Sequence, residues 1–154
     1  MSATEPRWLT DTEQVVWRDW LAATAWINQQ LHADLRQFNL GLNEYEVLVV
    51  LSEAPGWQVR MSQLADGSNQ SRSRLTHTVG RMEQAGWITR ETASDDRRGV
   101  VARLTNEGFA LLERAAREHV ESVRRVLIDP IGPDDLAALG RAMKAVLAVA
   151  DSTR

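Results

Sequence analysis

Cysteine is absent from this 154-residue chain. That removes disulfides, thiolate catalysis, Cys-ligated zinc and thiol redox sensing together. Histidine is scarce: His32, His77 and His119 stand far apart in sequence and show no metal-ligand spacing. No apolar run approaches the roughly 18–20 residues that span a bilayer. Residues 1–9 carry no apolar core of signal-peptide type. A cytoplasmic protein that does not engage a membrane is therefore expected. Nor is there a Gly-rich phosphate loop or a nucleophile beside a base, so no enzyme and no cofactor is expected. Lysine is nearly missing as well; Lys144 is the single one, and the other basic residues are Arg.

What is present is unevenly spread. The formal net charge is −3, the wrong sign for a nucleic-acid binder taken as a whole. Residues 1–59 hold three Arg against eight acids, 60–104 eight Arg against five acids, and 105–154 seven basic groups against eight acids. Positive charge is thus gathered in the middle of the chain, as an electrostatic footprint requires. The length suits one domain over 1–154, and a 44% hydrophobic content suffices for its core.

Periodicity organises the rest. Thr10-x-x-Glu13 is a capping-box pattern. Val16, Trp20, Ala23, Ile27, Leu31, Leu35 and Phe38 then recur at steps of three and four, which predicts one helix of about 25 residues. Asn43-x-x-Glu46 is expected to cap a second helix, whose apolar run over 47–51 argues for deep burial. Pro55-Gly56 breaks it. A short helix around 61–66 stops at Gly67, and Ser68-Asn69-Gln70-Ser71 forms a turn and N-cap. A further helix follows over about 72–84, with Leu75, Val79 and Met82 as its apolar stripe and Gly86 as its stop. Two helices joined by a tight turn are the helix-turn-helix pattern.

Next, two β-capable runs, 87–92 and 100–104, flank Ser94-Asp95-Asp96-Arg97-Arg98-Gly99 and read as a hairpin with a basic tip. Thr105 caps a long helix to about 127, with Phe109, Leu112, Ala116, Val120, Val123 and Leu127 on one face. Asp129-Pro130 and Gly132-Pro133 interrupt it. A last helix carries Leu136, Leu139, Met143, Val146, Leu147 and Ala150. The fold expected is mainly α with a small β-hairpin wing: a winged helix-turn-helix core (43–104) flanked by N-terminal (10–40) and C-terminal (105–151) dimerisation helices. Amphipathic helices at both ends are what an intertwined dimer interface needs. A helical cap closing over its own monomer is the alternative.

Within this plan the chemistry-bearing residues fall in two places. Gln70, Ser71, Arg72 and Ser73 sit at the start of the 72–84 helix, where free N–H groups and hydroxyls suit phosphate. Arg74, His77 and Arg81 lie on its outer face at steps of three and four. Arg pairs with guanine O6 and N7, so Arg72 or Arg74 is the expected base reader and Arg81 a phosphate contact. Arg98 is the candidate for the minor groove and Arg97 for phosphate, with Asp96 orienting a neighbouring Arg.

Three segments resemble the MarR family, the multiple-antibiotic-resistance-regulator type of winged-helix repressors. Gln63-Leu64-Ala65 looks like its opening of the helix-turn-helix. Ser73-x-Leu75-Thr76-His77-x-Val79-x-Arg81-Met82-Glu83-x-x-Gly86-Trp87-Ile88 looks like its recognition helix and exit into the sheet. Asp96-Arg97-Arg98 with Leu104-Thr105-x-x-Gly108 looks like its wing signature. The sequence departs from the family at His77, where many relatives carry Arg, and at Gly80, which replaces a commoner acidic residue. Gly80 costs around 1 kcal/mol against Ala in a helix interior.

The resemblance implies a homodimeric repressor on a pseudo-palindromic operator in double-stranded DNA, loosened by a small aromatic, phenolic or anionic ligand. It also implies a ligand pocket between the dimerisation helices and the winged helix. Trp17, Trp20, His32, Arg36 and Tyr45 are the candidate pocket residues, although Trp at helical spacing equally suits an interface. The alternative function is a winged-helix protein-interaction module without DNA binding.

Overall fold

The computed structural model describes residues 5–93 and 99–152. The elements are α1 (Asp11–Leu35), α2 (Leu42–Glu53), β1 (Gln58–Arg60), α3 (Met61–Gly67), α4 (Arg72–Gln84), β2 (Ile88–Thr92), β3 (Val100–Leu104), α5 (Asn106–Val123) and α6 (Pro133–Ser152). Short 3-10 turns lie at Arg36–Phe38 and Pro55–Trp57, and a π-helical turn at Arg124–Ile128 follows α5.

Caps set the helix starts. The Thr10 N–H donates to Glu13 at 2.8 Å and the Glu13 N–H to Thr10 Oγ1 at 3.3 Å, so the expected box opens α1. At α2 the expectation fails. Gly41, not Asn43, is the N-cap, and Glu44, not Glu46, reaches back to accept the Gly41 N–H at 3.0 Å. A Cβ on Gly41 would stand 2.6 Å from that carboxylate oxygen. The bare α-carbon leaves the room the carboxylate occupies.

The core lies among α2, α3, α4, the sheet and the first half of α5. Val47, Leu48 and Leu51 are fully buried, as the apolar run implies, and meet Leu64, Leu75, Val79, Met82, Ile88, Ala102 and Leu104. Burying such side chains stabilises by about 1.5–3 kcal/mol each. The outer helices contribute little to this core. Leu35 is the only buried residue of α1, and α6 has none.

The sheet has three antiparallel strands in the order β1-β3-β2. The expected hairpin is present, with Ile88 opposite Leu104 and Thr92 opposite Val100. Its ladder continues through the Ala93 N–H to the Gly99 carbonyl at 2.9 Å. Strand β1 was not expected. It pairs Val59 with Ala102 on the far side of β3 and so covers what would otherwise be an open edge.

A tight seam joins this sheet to α4 and α5. Thr105 Oγ1 lies 2.7 Å from the Gly86 carbonyl and accepts the Gly108 N–H at 3.0 Å, while the Thr105 N–H donates to the Trp87 carbonyl at 3.0 Å. A Cβ on Gly108 would fall 2.2 Å from the Trp87 oxygen. Only glycine permits that approach, which gives Leu104-Thr105-x-x-Gly108 a physical task.

Candidate nucleic-acid interface

Helix α4 buries Leu75, Thr78, Val79 and Met82. At 100° per residue, the row opposite these is Ser73, His77, Gly80 and Gln84. Ser73, His77 and Gln84 are exposed. Ser71 caps the helix, its Oγ accepting the Arg74 N–H at 3.3 Å. Arg72 and Arg74 are exposed in the first turn, and among the described residues neither guanidinium has a partner.

Two expected contact residues are engaged elsewhere. Gln70 is turned inward and only 8% exposed. Its Nε2 donates to the Asn43 carbonyl at 3.2 Å, and its Oε1 accepts the Thr78 hydroxyl at 3.1 Å. Both ends of a buried amide need partners, and the start of α2 and the inner face of α4 supply them. Gln70 therefore braces the helix-turn-helix from inside and does not present its side chain on the outer surface. Arg81 forms an ion pair with Glu44 of α2, a carboxylate that is itself buried. One Glu44 oxygen holds Arg81 and the other the Gly41 N–H, so Arg81 ties α4 to the α2 cap while remaining half-exposed.

The wing is fixed to the same helix. Glu83 accepts the Arg90 backbone N–H and Nε, both at 3.1 Å, and Arg90 Nη2 at 2.7 Å. The Arg90 hydrogen bonds hold the Glu83 carboxyl below its usual range. This clamp sets β2 against the last turn of α4. Arg97 and Arg98, expected at the wing tip, lie outside the described residues. Beside the clamp, Ser73, Thr76, His77, Gly80, Arg81, Gln84 and Arg90 line a shallow depression of about 480 Å³. Sequence reasoning missed Thr76 and Gln84; their helical spacing from Ser73 and His77 was the available signal.

The five candidate ligand residues do not form one pocket. His32 and Arg36 line an open cleft of about 950 Å³ with Glu44 and Arg81. Tyr45 instead borders a neighbouring cavity of about 430 Å³ with Glu46, Glu53 and His119. Trp17 and Trp20, on the exposed first half of α1, line neither. The Tyr45 and His119 rings lie 4.3 Å apart. His119 Nδ1 is buried and has no partner among the described residues, and burial pushes its pKa down. Burial pushes the Glu46 carboxyl up. Glu44 and His119 were not foreseen; the position of Glu44 three residues beyond Gly41 was the only sequence hint.

A helix-turn-helix whose second helix is clamped to an antiparallel wing defines a winged-helix protein, and the outer helices place it among those with long terminal extensions. The MarR family description matches residues 38–99. The transcriptional regulator PecS of Dickeya dadantii is 36% identical over 124 residues, covering 77% of this chain and 74% of PecS. The chain belongs to the MarR family of transcriptional regulators. Two solved structures from Streptomyces coelicolor agree over nearly the whole length. The MarR family regulator AbsC superposes with a TM-score of 0.91 at 45% identity, covering 96% of this chain and 99% of AbsC. Sco3205, a MarR family regulator solved in complex with DNA, superposes at 0.90 with 39% identity, covering 94% and 91%. These relatives are transcriptional regulators and not enzymes.

Proposed function

We propose that this regulator acts as a homodimer on a pseudo-palindromic operator in double-stranded DNA, represses transcription there, and is released by a small aromatic or anionic ligand. The observation that carries the DNA reading is the first turn of α4. Arg72 and Arg74 stand exposed, without a partner among the described residues, beside the hydroxyls of Ser71 and Ser73, while the opposite face is locked into the core. Such a turn offers phosphate its free N–H groups and guanine its paired donors. Sco3205, so similar in fold, was solved with DNA bound. A cytoplasmic protein is part of the same reading.

Dimerisation is supported by the apolar side chains that this chain leaves bare. Val16, Trp17, Trp20 and Leu21 on α1 and Val146, Leu147 and Val149 on α6 are all exposed. Large apolar side chains left exposed in such number are what an interface would cover. Ligand release is supported by the cleft of His32, Arg36, Glu44 and Arg81, where Arg36 offers a positive group beside the helix that would read DNA. A ligand favouring a dimer with displaced α4 helices would draw it from the operator.

Binding to DNA fragments from the neighbourhood of the gene, at two salt concentrations, tests the reading. Protection of two half-sites about one helical turn apart is expected, with affinity falling steeply as salt rises. Binding with no sequence preference and no salt slope would replace this reading with a protein-interaction module.

A further inference from the structure

Gly80 sits in the interior of the 13-residue α4, where glycine weakens a helix. Nothing among the described residues requires it. The left-handed glycines among them are Gly56 and Gly86, and Gly80 is not one of these. Among the described residues a Cβ at position 80 would meet no atom within 4 Å beyond its chain neighbours and its own helix backbone, in contrast to Gly41 and Gly108, where close neighbours fill the space. Neither backbone conformation nor internal packing therefore accounts for a missing side chain here.

The surroundings of Gly80 indicate what the gap serves. It belongs to the outermost row of α4, between His77 and Gln84, and forms part of the shallow depression described above. The other groups lining that depression are two hydroxyls, an imidazole, an amide and the guanidinium groups of Arg81 and Arg90. No acidic residue lines the depression, although Glu44 and Glu83 hold its two guanidinium groups from behind. These are donors and acceptors suited to base edges and phosphates, and the centre of the row is bare backbone.

We infer that Gly80 is a specificity-determining gap: it lets the α4 backbone lie close to base edges in the major groove, so that the residues around it read the operator. This rests on the DNA-binding reading above. A side chain at position 80 would hold the helix away from the base edges. Phosphate contacts made from the first turn of α4 would survive, because they lie more than a turn away.

The test compares wild type, Gly80→Ala and Gly80→Leu for affinity to an operator fragment, affinity to a random duplex of equal length, and thermal stability. Removing the glycine from the helix should raise Tm by about 2–4 °C in the Ala variant. Operator affinity should nevertheless fall at least about fivefold in Ala and further in Leu, while random-duplex affinity stays within about twofold of wild type. Wild-type operator affinity in both variants overturns the inference and leaves the DNA-binding reading standing. Equal losses on operator and random duplex overturn it too, as does a loss accompanied by a lowered Tm in both variants. Absence of operator binding by the wild type overturns both readings together.

Discussion

Arg74 and Arg81 lie seven residues apart on one helix and have different surroundings. Arg74 has no partner among the described residues, whereas Arg81 is committed to buried Glu44. Arg74→Ala should therefore weaken operator binding roughly tenfold, within the ~1–3 kcal/mol of a bidentate base contact, and leave the melting curve in place. Anisotropy titration beside a thermal melt separates the two effects. Arg98→Ala should do the same through the minor groove. Arg81→Ala should instead cost about 1–3 kcal/mol of folding stability by stranding a buried carboxylate; an unchanged urea midpoint would show that the pair contributes nothing. His119 supplies a pH signature. Burial lowers its folded pKa below the ordinary 6.5, so the unfolded chain takes up the proton first. The neutral ring costs no stability above 6.5, and stability is lost as pH falls from there through the folded value. Half-buried Glu46, its carboxyl pushed up by desolvation, works in the opposite sense. His119→Phe keeps a ring against Tyr45 and should flatten the decline between about pH 7 and 5. Comparing the unfolding midpoints of the two proteins across that range isolates the histidine. Side chains that face solvent could be read from helical spacing, as Arg72, Arg74 and His77 were. Gln70 could not, because its partners Asn43 and Thr78 come together only through the fold.

Helix ends show the same division between local and distant causes. The Thr10, Ser71 and Thr105 caps depend on residues three positions away and were visible in the sequence. The α2 cap was misplaced because two acids compete for the task. Glu44 prevails where Arg81, from a distant helix, holds its second oxygen. Strand β1 is three residues long, too short to show alternation, and forms because β3 offers an edge 43 positions on, Val59 meeting Ala102. The seam between α4, the sheet and α5 is the element most exposed to a single change. Gly108→Ala must displace either the Trp87 carbonyl or α5. A cost of about 1–3 kcal/mol is expected from such overpacking, seen as a lower urea midpoint. A midpoint equal to wild type would mean that the close approach relaxes freely.

At the scale of the folded chain, the winged core was foreseen and is present, while the outer helices are only loosely part of it. The apolar side chains of α1 and α6 were expected to line a face, and within this chain that face finds few partners. Trp20 is 40% and Leu147 63% exposed. Trp20→Glu combined with Leu147→Glu should halve the mass seen by light scattering at micromolar protein and abolish operator protection with it. A mass of two chains kept by the variant would show that the dimer forms through another surface, and a wild-type mass of one chain would remove the proposed dimer. One consequence follows from α6, a helix of 20 residues without a single buried side chain. In the proposed dimer, a helix with so little fastening in its own chain would draw its stability from association, so that folding and pairing would become one equilibrium. Dilution then acts as a denaturant, and the melting temperature should climb with the logarithm of protein concentration. The abundance of such a regulator would then set the fraction that has its working shape, as well as how often it meets its target.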